Sequence, residues 1–316
     1  MMGWGNGRRV ILKDSTLREG LDVPGVTLDP GQKRALLVKL AELQVPEAEV
    51  VAPGHFDTDI KVLQELGMAD LPIASSGLIY GNGPECLRQI AAAGNALDRV
   101  DILMPAVAAR PPAGLKEKAV LLREAVQAAA GQVARVGAGF PHSLQVGREA
   151  LVELCLEAVS AGATRITLYD TNGAADPWEV GEIVGAVRQA SDVEICFHAH
   201  NDLGMATANS LSAVRAGATC LDVTINGLGD RAGNASLEQV AVALHNRGAD
   251  HGLRLELLPG LSRWVAEATG VPLSQMAPVV GEFIFCHKSP SHLVSPRLFE
   301  AFDPALIGME STISKS

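Results

Sequence analysis

Cysteine is scarce in this chain, and the few cysteines present are scattered. Cys86, Cys155, Cys196, Cys220 and Cys286 are odd in number, far apart and form no Cys-x-x-Cys pair. Reduced, buried thiols in a cytoplasmic protein are therefore expected rather than a disulfide framework. Long apolar runs are missing as well. No window approaches the ~18–20 unbroken apolar residues of a membrane span, so no membrane association is expected. The start, Met1-Met2-Gly3-Trp4-Gly5-Asn6-Gly7-Arg8-Arg9, has no apolar stretch ending in a small-residue cleavage site after its basic pair, and no signal peptide is expected. Positive charge is in deficit: 26 Lys and Arg against 36 Asp and Glu give a net charge of −10. That argues against a nucleic-acid surface. It leaves room for a small anionic substrate, because a metal ion and one or two arginines set the field locally. Nor does a Gly-x-Gly-x-x-Gly follow the first apolar run, which removes the dinucleotide fingerprint of an open doubly wound sheet.

What is present is the composition of a globular enzyme, with 47% hydrophobic and 20% charged residues and 32 glycines in 316 residues. Short apolar runs alternate with amphipathic stretches. Residues 10–14, 48–52, 71–75, 100–104, 133–138, 165–169, 194–198 and 221–225 read as strands. Residues 30–43, 57–66, 84–93, 115–131, 148–161, 177–190, 204–216 and 236–243 read as helices between them. Asp29 before Pro30 and Asp176 before Pro177 fit N-caps, while Gly162 and Gly217 fit C-terminal stops. Strand–helix pairs at this rhythm predict an α/β fold of the TIM (β/α)8 type over 1–250, with catalytic residues at strand C-terminal ends. Residues 259–269 read as one more helix. The Pro-rich remainder of 251–316 reads as a short C-terminal subdomain packing on the barrel or on a partner chain.

Three segments carry the chemistry. Phe197-His198-Ala199-His200-Asn201-Asp202-Leu203-Gly204 ends the seventh strand, and residues two apart on a strand point the same way. His198 and His200 can thus present both imidazoles to one point. Asp14-Ser15-Thr16-Leu17-Arg18-Glu19-Gly20 ends the first strand, and Asn226-Gly227-Leu228-Gly229-Asp230-Arg231-Ala232-Gly233-Asn234 follows the eighth. Strands seven, eight and one are neighbours in a barrel, so Glu19, His198, His200 and Asn234 would converge. Mixed nitrogen and oxygen donors suit a catalytic divalent cation rather than a closed structural zinc site. Arg18 would place a fixed positive charge where an enolate oxygen develops. Each segment alone has a plainer reading: a surface ion pair for Arg18 and Glu19, two satisfied strand histidines, a tight turn with Asn234 as helix cap. Their joint occurrence at the correct strand ends favours the metal site.

The same segments resemble the signatures of the DRE-TIM metallolyase superfamily: Asp-Ser-Thr-Leu-Arg-Glu-Gly at 14–20, His-Ala-His-Asn-Asp-Leu-Gly-Met-Ala at 198–206 and Gly-Leu-Gly-Asp-Arg-Ala-Gly-Asn-Ala-Ser-Leu-Glu at 227–238. The last is most similar to the branch of 2-isopropylmalate, citramalate and homocitrate synthases. Phe285-Cys286-His287-Lys288-Ser289-Pro290-Ser291-His292 resembles the His-x-Ser-Gly-x-His segment that follows the barrel in those synthases. The resemblance implies a Claisen-type condensation of an acyl-CoA, acetyl-CoA in the synthases, with a 2-oxo acid, using magnesium, manganese or zinc. It implies that Arg18 binds the 2-oxo acid, that Glu49 orients Arg18, and that Thr171 contacts the 2-oxo acid carboxylate. It implies too that His292 is catalytic and reaches the site of a partner subunit in a homodimer. No amino-acid feedback is expected, because the regulatory domain of leucine-pathway synthases has no counterpart here.

The chain departs from the synthase pattern at defined places. Where the synthases carry a Ser-x-Glu-Asp segment after strand five, Gly139-Phe140-Pro141-His142-Ser143 offers no carboxylate, and His142 is the candidate replacement base. After strand four, Pro105-Ala106-Val107-Ala108-Ala109-Arg110-Pro111-Pro112 replaces a Ser-x-x-His segment, and Arg110 is a candidate holder of a second anionic group. Phe299 stands where a tyrosine usually assists, and Leu21 and Asp22 replace Glu-Gln. A metal-dependent carbon–carbon lyase or aldolase is the alternative. The lost strand-five carboxylate favours it. The synthase-like tail opposes it, as does the lack of a cysteine in the 227–234 loop, where the lyase branch carries one.

Overall fold

The eight short runs pair in parallel, in chain order, and close into a barrel: β1 (Ile11–Asp14), β2 (Glu47–Val51), β3 (Ala74–Tyr80), β4 (Arg99–Leu103), β5 (Arg135–Phe140), β6 (Arg165–Asp170), β7 (Glu194–Ala199) and β8 (Cys220–Val223). The computed structural model describes residues 7, 9–52, 56–66, 71–81, 83–94, 96–106 and 114–313. A helix follows each strand: α1 (Pro30–Glu42), α2 (Phe56–Leu66), α3 (Gly83–Ala93), α4 (Leu115–Ala130), α5 (Arg148–Ser160), α6 (Pro177–Ala190), α7 (Ala206–Ala216) and α8 (Leu237–His245). This is a TIM barrel, as the alternation predicts.

Local chemistry places the helix starts. Asp29 accepts from Gln32 N at 2.8 Å while the Gln32 side chain takes the Asp29 N–H at 2.9 Å. Asp176 accepts from Trp178 N and Glu179 N, each at 2.9 Å, with Glu179 reaching back at 3.2 Å. Reciprocal caps of this kind are worth about 1 kcal/mol each. The third strand differs from expectation: it runs from Ala74 to Tyr80, not over 71–75. Pro72 cannot donate to a ladder, so the chain enters the sheet only after it. Ser76 and Gly77, beyond the expected end, lie inside the strand. Gly77 is required there, since a Cβ would sit 2.8 Å from Val51 Cβ and 2.9 Å from Leu97 Cδ1.

The strands alternate sharply. Leu12, Ala48, Val100, Ile102, Val136, Ala138, Ile166, Leu168, Ile195, Phe197, Leu221 and Val223 are buried beneath the helices. The other face fills the barrel interior, and it is polar: Lys13, Glu47, Glu49, Arg99, Asp101, Arg165, Thr167 and Asp222 are all buried. Branched apolar layers are the usual filling of such a barrel. Near the N-terminal ends of the strands, Arg165 grips Glu47 through two parallel bonds of 2.7 and 2.8 Å and also pairs with Glu194. Burial alone would raise the Glu47 carboxyl. Arg165 outweighs it and brings the value down from 4.5 to about 2.

Because this folded-state value lies below the unfolded one, the pair stabilises the protein fully above about pH 4.5. That contribution fades as pH falls through about 2. Arg165→Met, which leaves buried Glu47 with the more distant Arg99 at 3.8 Å, should cost about 3–5 kcal/mol in urea unfolding at pH 7, the scale for breaking one side of a buried pair. Arg165→Met with Glu47→Leu should recover most of it. A single variant as stable as the parent would show that the pair contributes nothing.

Beyond the barrel, α9 (Leu258–Thr269) buries Leu258, Leu261 and Val265 in the same core, and Lys39 Nζ lies 5.5 Å over the Trp264 ring of this helix. The remaining segment forms α10 (Pro290–Val294) and a parallel pair of β9 (Cys286–His287) with β10 (Thr312–Ile313). All five cysteines are free thiols. Among the described residues, no helix is long and apolar enough to cross a membrane.

Candidate active site

The turn after β1 is built by its own side chains. Asp14 accepts from Thr16 N at 3.0 Å and Thr16 Oγ1 at 2.9 Å, while Ser15 O accepts the N–H groups of Arg18 and Glu19 at 3.1 and 2.8 Å. Thr16 Oγ1 in turn accepts from Ile225 N at 2.9 Å, tying this turn to the loop after β8. Burial pushes the Asp14 carboxyl up to about 7. Arg18 emerges from the turn and points back over the barrel. Its Nε donates to Glu49 Oε2 at 2.5 Å, and its guanidinium also pairs with Glu19. The pair is buried, not a surface ion pair. Glu49 is fully buried on β2 and also receives Lys13 Nζ at 2.7 Å and Ser15 Oγ at 3.2 Å. Against burial, which raises it, Arg18 and Lys13 hold the Glu49 carboxyl below its ordinary value.

Glu19, His198 and His200 meet. Glu19 Oε1 is 3.6 Å from His200 Nε2, Glu19 Oε2 is 4.0 Å from His198 Nε2, and the two Nε2 atoms are 3.4 Å apart. All three are buried. Asp222 on β8 lies 3.0 Å from His198 Nδ1, which puts the proton on Nδ1 and leaves the Nε2 lone pair facing the cluster. Burial would raise the Asp222 carboxyl, but Lys13 and His198 hold it well below the usual carboxylate range. Burial lowers His198 too, and burial with the nearby His198 holds His200 down to about 3, so both rings are neutral ligand donors.

Asn234 completes the set. Its backbone bridges to His200, and its Nδ2 sits 3.1 Å from His198 Nε2. Its Oδ1 is buried without a hydrogen-bond partner, as is His200 Nδ1. The oxygen and nitrogen of a carboxamide exchange places on a half-turn, which would bring Oδ1 to the cluster. The loop holding it is close-packed: Gly233 has φ of +85° and any Cβ there would collide with Gly227 O. The residues at this point therefore fit a divalent cation held by Glu19, His198, His200 and Asn234. The helix cap in this segment is Ser236, not Asn234.

Other predicted residues fall at the same mouth. Thr171, after β6, accepts the His142 N–H at 2.8 Å, which joins the loops after β5 and β6. His142 holds φ of 60°, a left-handed conformation that is costly for a non-glycine residue, and its Nδ1 is buried without a partner. Arg110 lies outside the described residues. His292 lies on α10, where it faces His287 Nδ1 at 3.2 Å and stacks on Phe299 with ring centroids 3.9 Å apart. Both contacts lie within the C-terminal segment of the same chain.

Several residues escaped the sequence reading. Asp222 and Lys13 were visible only as charges inside short strands. Arg231 binds Asp202 at 2.8 and 3.0 Å, Asp230 at 2.6 Å and Thr171 O at 2.8 Å, clamping the loops after β6, β7 and β8 together. Tyr169 packs its ring 4.7 Å from that of His198, in space left open by Gly139, and its hydroxyl is buried without a partner.

Known proteins resemble this chain in sequence and in fold. The 2-isopropylmalate synthase 2 of Caldanaerobacter subterraneus subsp. tengcongensis is 32% identical over 321 residues, covering 99% of this chain and 83% of its own. Homocitrate synthase 1 of Nostoc sp. is 31% identical over 311 residues, covering 96% of this chain and 82% of its own. Among solved structures, the HMG-CoA lyase of Bacillus subtilis superposes with a TM-score of 0.73 at 21% identity, over 85% of this chain and 96% of that one, a likeness of fold. A family model described as HMGL-like matches residues 9–265, and the chain belongs to that family.

Proposed function

We propose that this protein is an acyltransferase that condenses an acyl-CoA, acetyl-CoA in the first instance, with a 2-oxo acid and releases free CoA. The observation that carries the reading is the convergence of Glu19, His198, His200 and Asn234 beside Arg18 at the C-terminal ends of β7, β8 and β1. A divalent cation bound there would act as a Lewis acid on the keto and carboxylate oxygens of the 2-oxo acid.

The chain's own groups supply the rest. Arg18, held rigid by Glu49, faces the oxygen on which negative charge grows as the new carbon–carbon bond forms. Thr171 accepts from His142 N, so its hydroxyl proton is free to donate to the substrate carboxylate. His142 is the base that takes a methyl proton from the acyl-CoA. The resulting enolate carbon attacks the 2-oxo carbonyl carbon, whose oxygen takes up a proton. Water then cleaves the thioester, giving a 2-hydroxy dicarboxylate and CoA with its thiol proton.

His292 reaches the site of a partner subunit in a homodimer, as the segment around it resembles. Val294 and Leu298, 87% and 79% exposed beside it, are apolar side chains suited to cover by a second copy. A cytoplasmic location belongs to the same reading, and the free thiols of all five cysteines support it. The missing strand-five carboxylate favours a second reading, a metal-dependent lyase or aldolase that works without thioester hydrolysis.

One assay separates them. Purified protein with acetyl-CoA and a panel of 2-oxo acids, followed by thiol release, should liberate CoA only when a 2-oxo acid is present. Chelation should abolish the release, and magnesium, manganese or zinc should restore it. Thiol release that ignores the 2-oxo acid, or none with any member, would overturn the acyltransferase reading. Carbon–carbon cleavage of a 2-hydroxy acid product class in its place would select the lyase.

A further inference from the structure

The interior beneath the cation cluster holds a cationic side chain that the reaction as described does not use. Lys13 is fully buried on β1. Its Nζ lies 2.7 Å from Glu49 Oε1, 3.1 Å from Asp222 Oδ1 and 3.6 Å from Asp101 Oδ2. The first two carboxylates have their other oxygens committed upward. Glu49 Oε2 holds Arg18 and Asp222 Oδ2 holds His198 Nδ1. One ammonium group therefore ties together the two carboxylates that orient the charge-stabilising arginine and the first histidine ligand. Register makes this possible, since Lys13 is the β-ladder partner of both Glu47 on β2 and Asp222 on β8.

We propose that Lys13 is a positioning residue, a shared counter-ion that fixes the Arg18–Glu49 arm and the His198–Asp222 arm relative to each other. A rigid frame matters here because a substrate oxygen must touch Arg18 and the cation together. Small misplacements of such groups cost large factors in rate. Outer partners of metal ligands typically change affinity or activity by 10–100-fold when removed. Asp101 is the spare member: neither of its carboxylate oxygens has a hydrogen-bond partner among the described residues, and its ion pair is with Lys13.

The Arg18 half of the inference rests on the acyltransferase reading; the His198 half does not, and the test uses both. Lys13→Met alone leaves three buried carboxylates without their ammonium and endangers folding. Lys13→Met combined with Asp101→Asn withdraws a buried carboxylate along with the ammonium, and Asp101→Asn alone is the control. Metal-stripped protein is titrated with Mn²⁺ by electron paramagnetic resonance, and kcat and KM for the 2-oxo acid are measured by thiol release.

The double variant should bind Mn²⁺ about 10-fold more weakly and lose turnover and 2-oxo acid affinity in parallel. Asp101→Asn alone should stay within about twofold of the parent on each. A double variant that binds Mn²⁺ and turns over like the parent would reduce Lys13 to a packing role and overturn the proposal. So would a control that fails as badly as the double variant. Should the parent release no thiol with any 2-oxo acid, the acyltransferase reading falls, while the Mn²⁺ arm still decides whether Lys13 positions His198.

Discussion

Arg18→Gln should lower thiol-release turnover by about 10²–10³-fold, the scale of removing one preorganised donor from a developing oxyanion. Its binding of the divalent cation should be nearly unchanged. Arg18 is held by Glu49 Oε2 at 2.5 Å, and Glu49 is buried and ionised. The guanidinium therefore cannot swing away and costs little reorganisation as charge builds up. Glutamine, one methylene shorter in its stem, carries no charge and presents its amide without the fork that spans two oxygens. The variant should still fold, because Lys13 and Ser15 continue to satisfy Glu49 at 2.7 and 3.2 Å. Rates measured at saturating 2-oxo acid, beside a Mn²⁺ titration of the same preparation, separate the two effects. Undiminished turnover would remove Arg18 from the chemistry; loss of cation binding in step with turnover would make it a structural prop for Glu19.

Cation affinity carries the second large effect. His198→Ala should weaken binding more than Asp222→Asn, and the latter should itself cost about 10–100-fold. The order follows from position. His198 offers Nε2 to the cluster directly, 3.4 Å from His200 Nε2, while Asp222 acts through the 3.0 Å bond to Nδ1 that sets the tautomer. Asparagine at 222 can present its amide N–H to Nδ1, which would move the ring proton to Nε2 and block the lone pair the cation needs. Calorimetric titration of stripped protein with Mn²⁺ or Zn²⁺ measures both variants. Equal affinities for the two variants and the parent would mean that the cluster is not where the cation binds.

Much of the fold was legible before any coordinates. All the barrel strands but the third sit close to where the apolar pattern put them, because each must bury one face beneath a helix and that requirement is written in period-two hydrophobicity. Asp29 and Asp176 announced their helices through short-range bonds that depend on neighbouring residues alone. The third strand was misplaced for an equally local reason. Pro72 was counted into it, and Ser76 and Gly77 were left out, although the smallness of Gly77 answers to Val51 and Leu97 packed against it. A residue chosen for what lies opposite it cannot be read from its own neighbourhood.

The candidate site divides the same way. Glu19, His198, His200 and Asn234 stand in three distinctive segments, and knowing that strands seven, eight and one are adjacent was enough to bring those segments together. Lys13, Asp222 and Asp101 stand in three short strands with no distinctive motif around them. Only closure of the barrel turns them inward and brings both carboxylates within 3.6 Å of the Lys13 ammonium. Sequence by itself thus determined the barrel, its helices and the kind of donor atoms at its mouth, since these follow from periodicity and from side-chain chemistry. Tertiary structure alone decided which buried charges neutralise one another and so hold the donors still. An isolated charge in a strand costs several kcal/mol to bury, and whether that cost is offset depends on partners that only the closed sheet brings into reach.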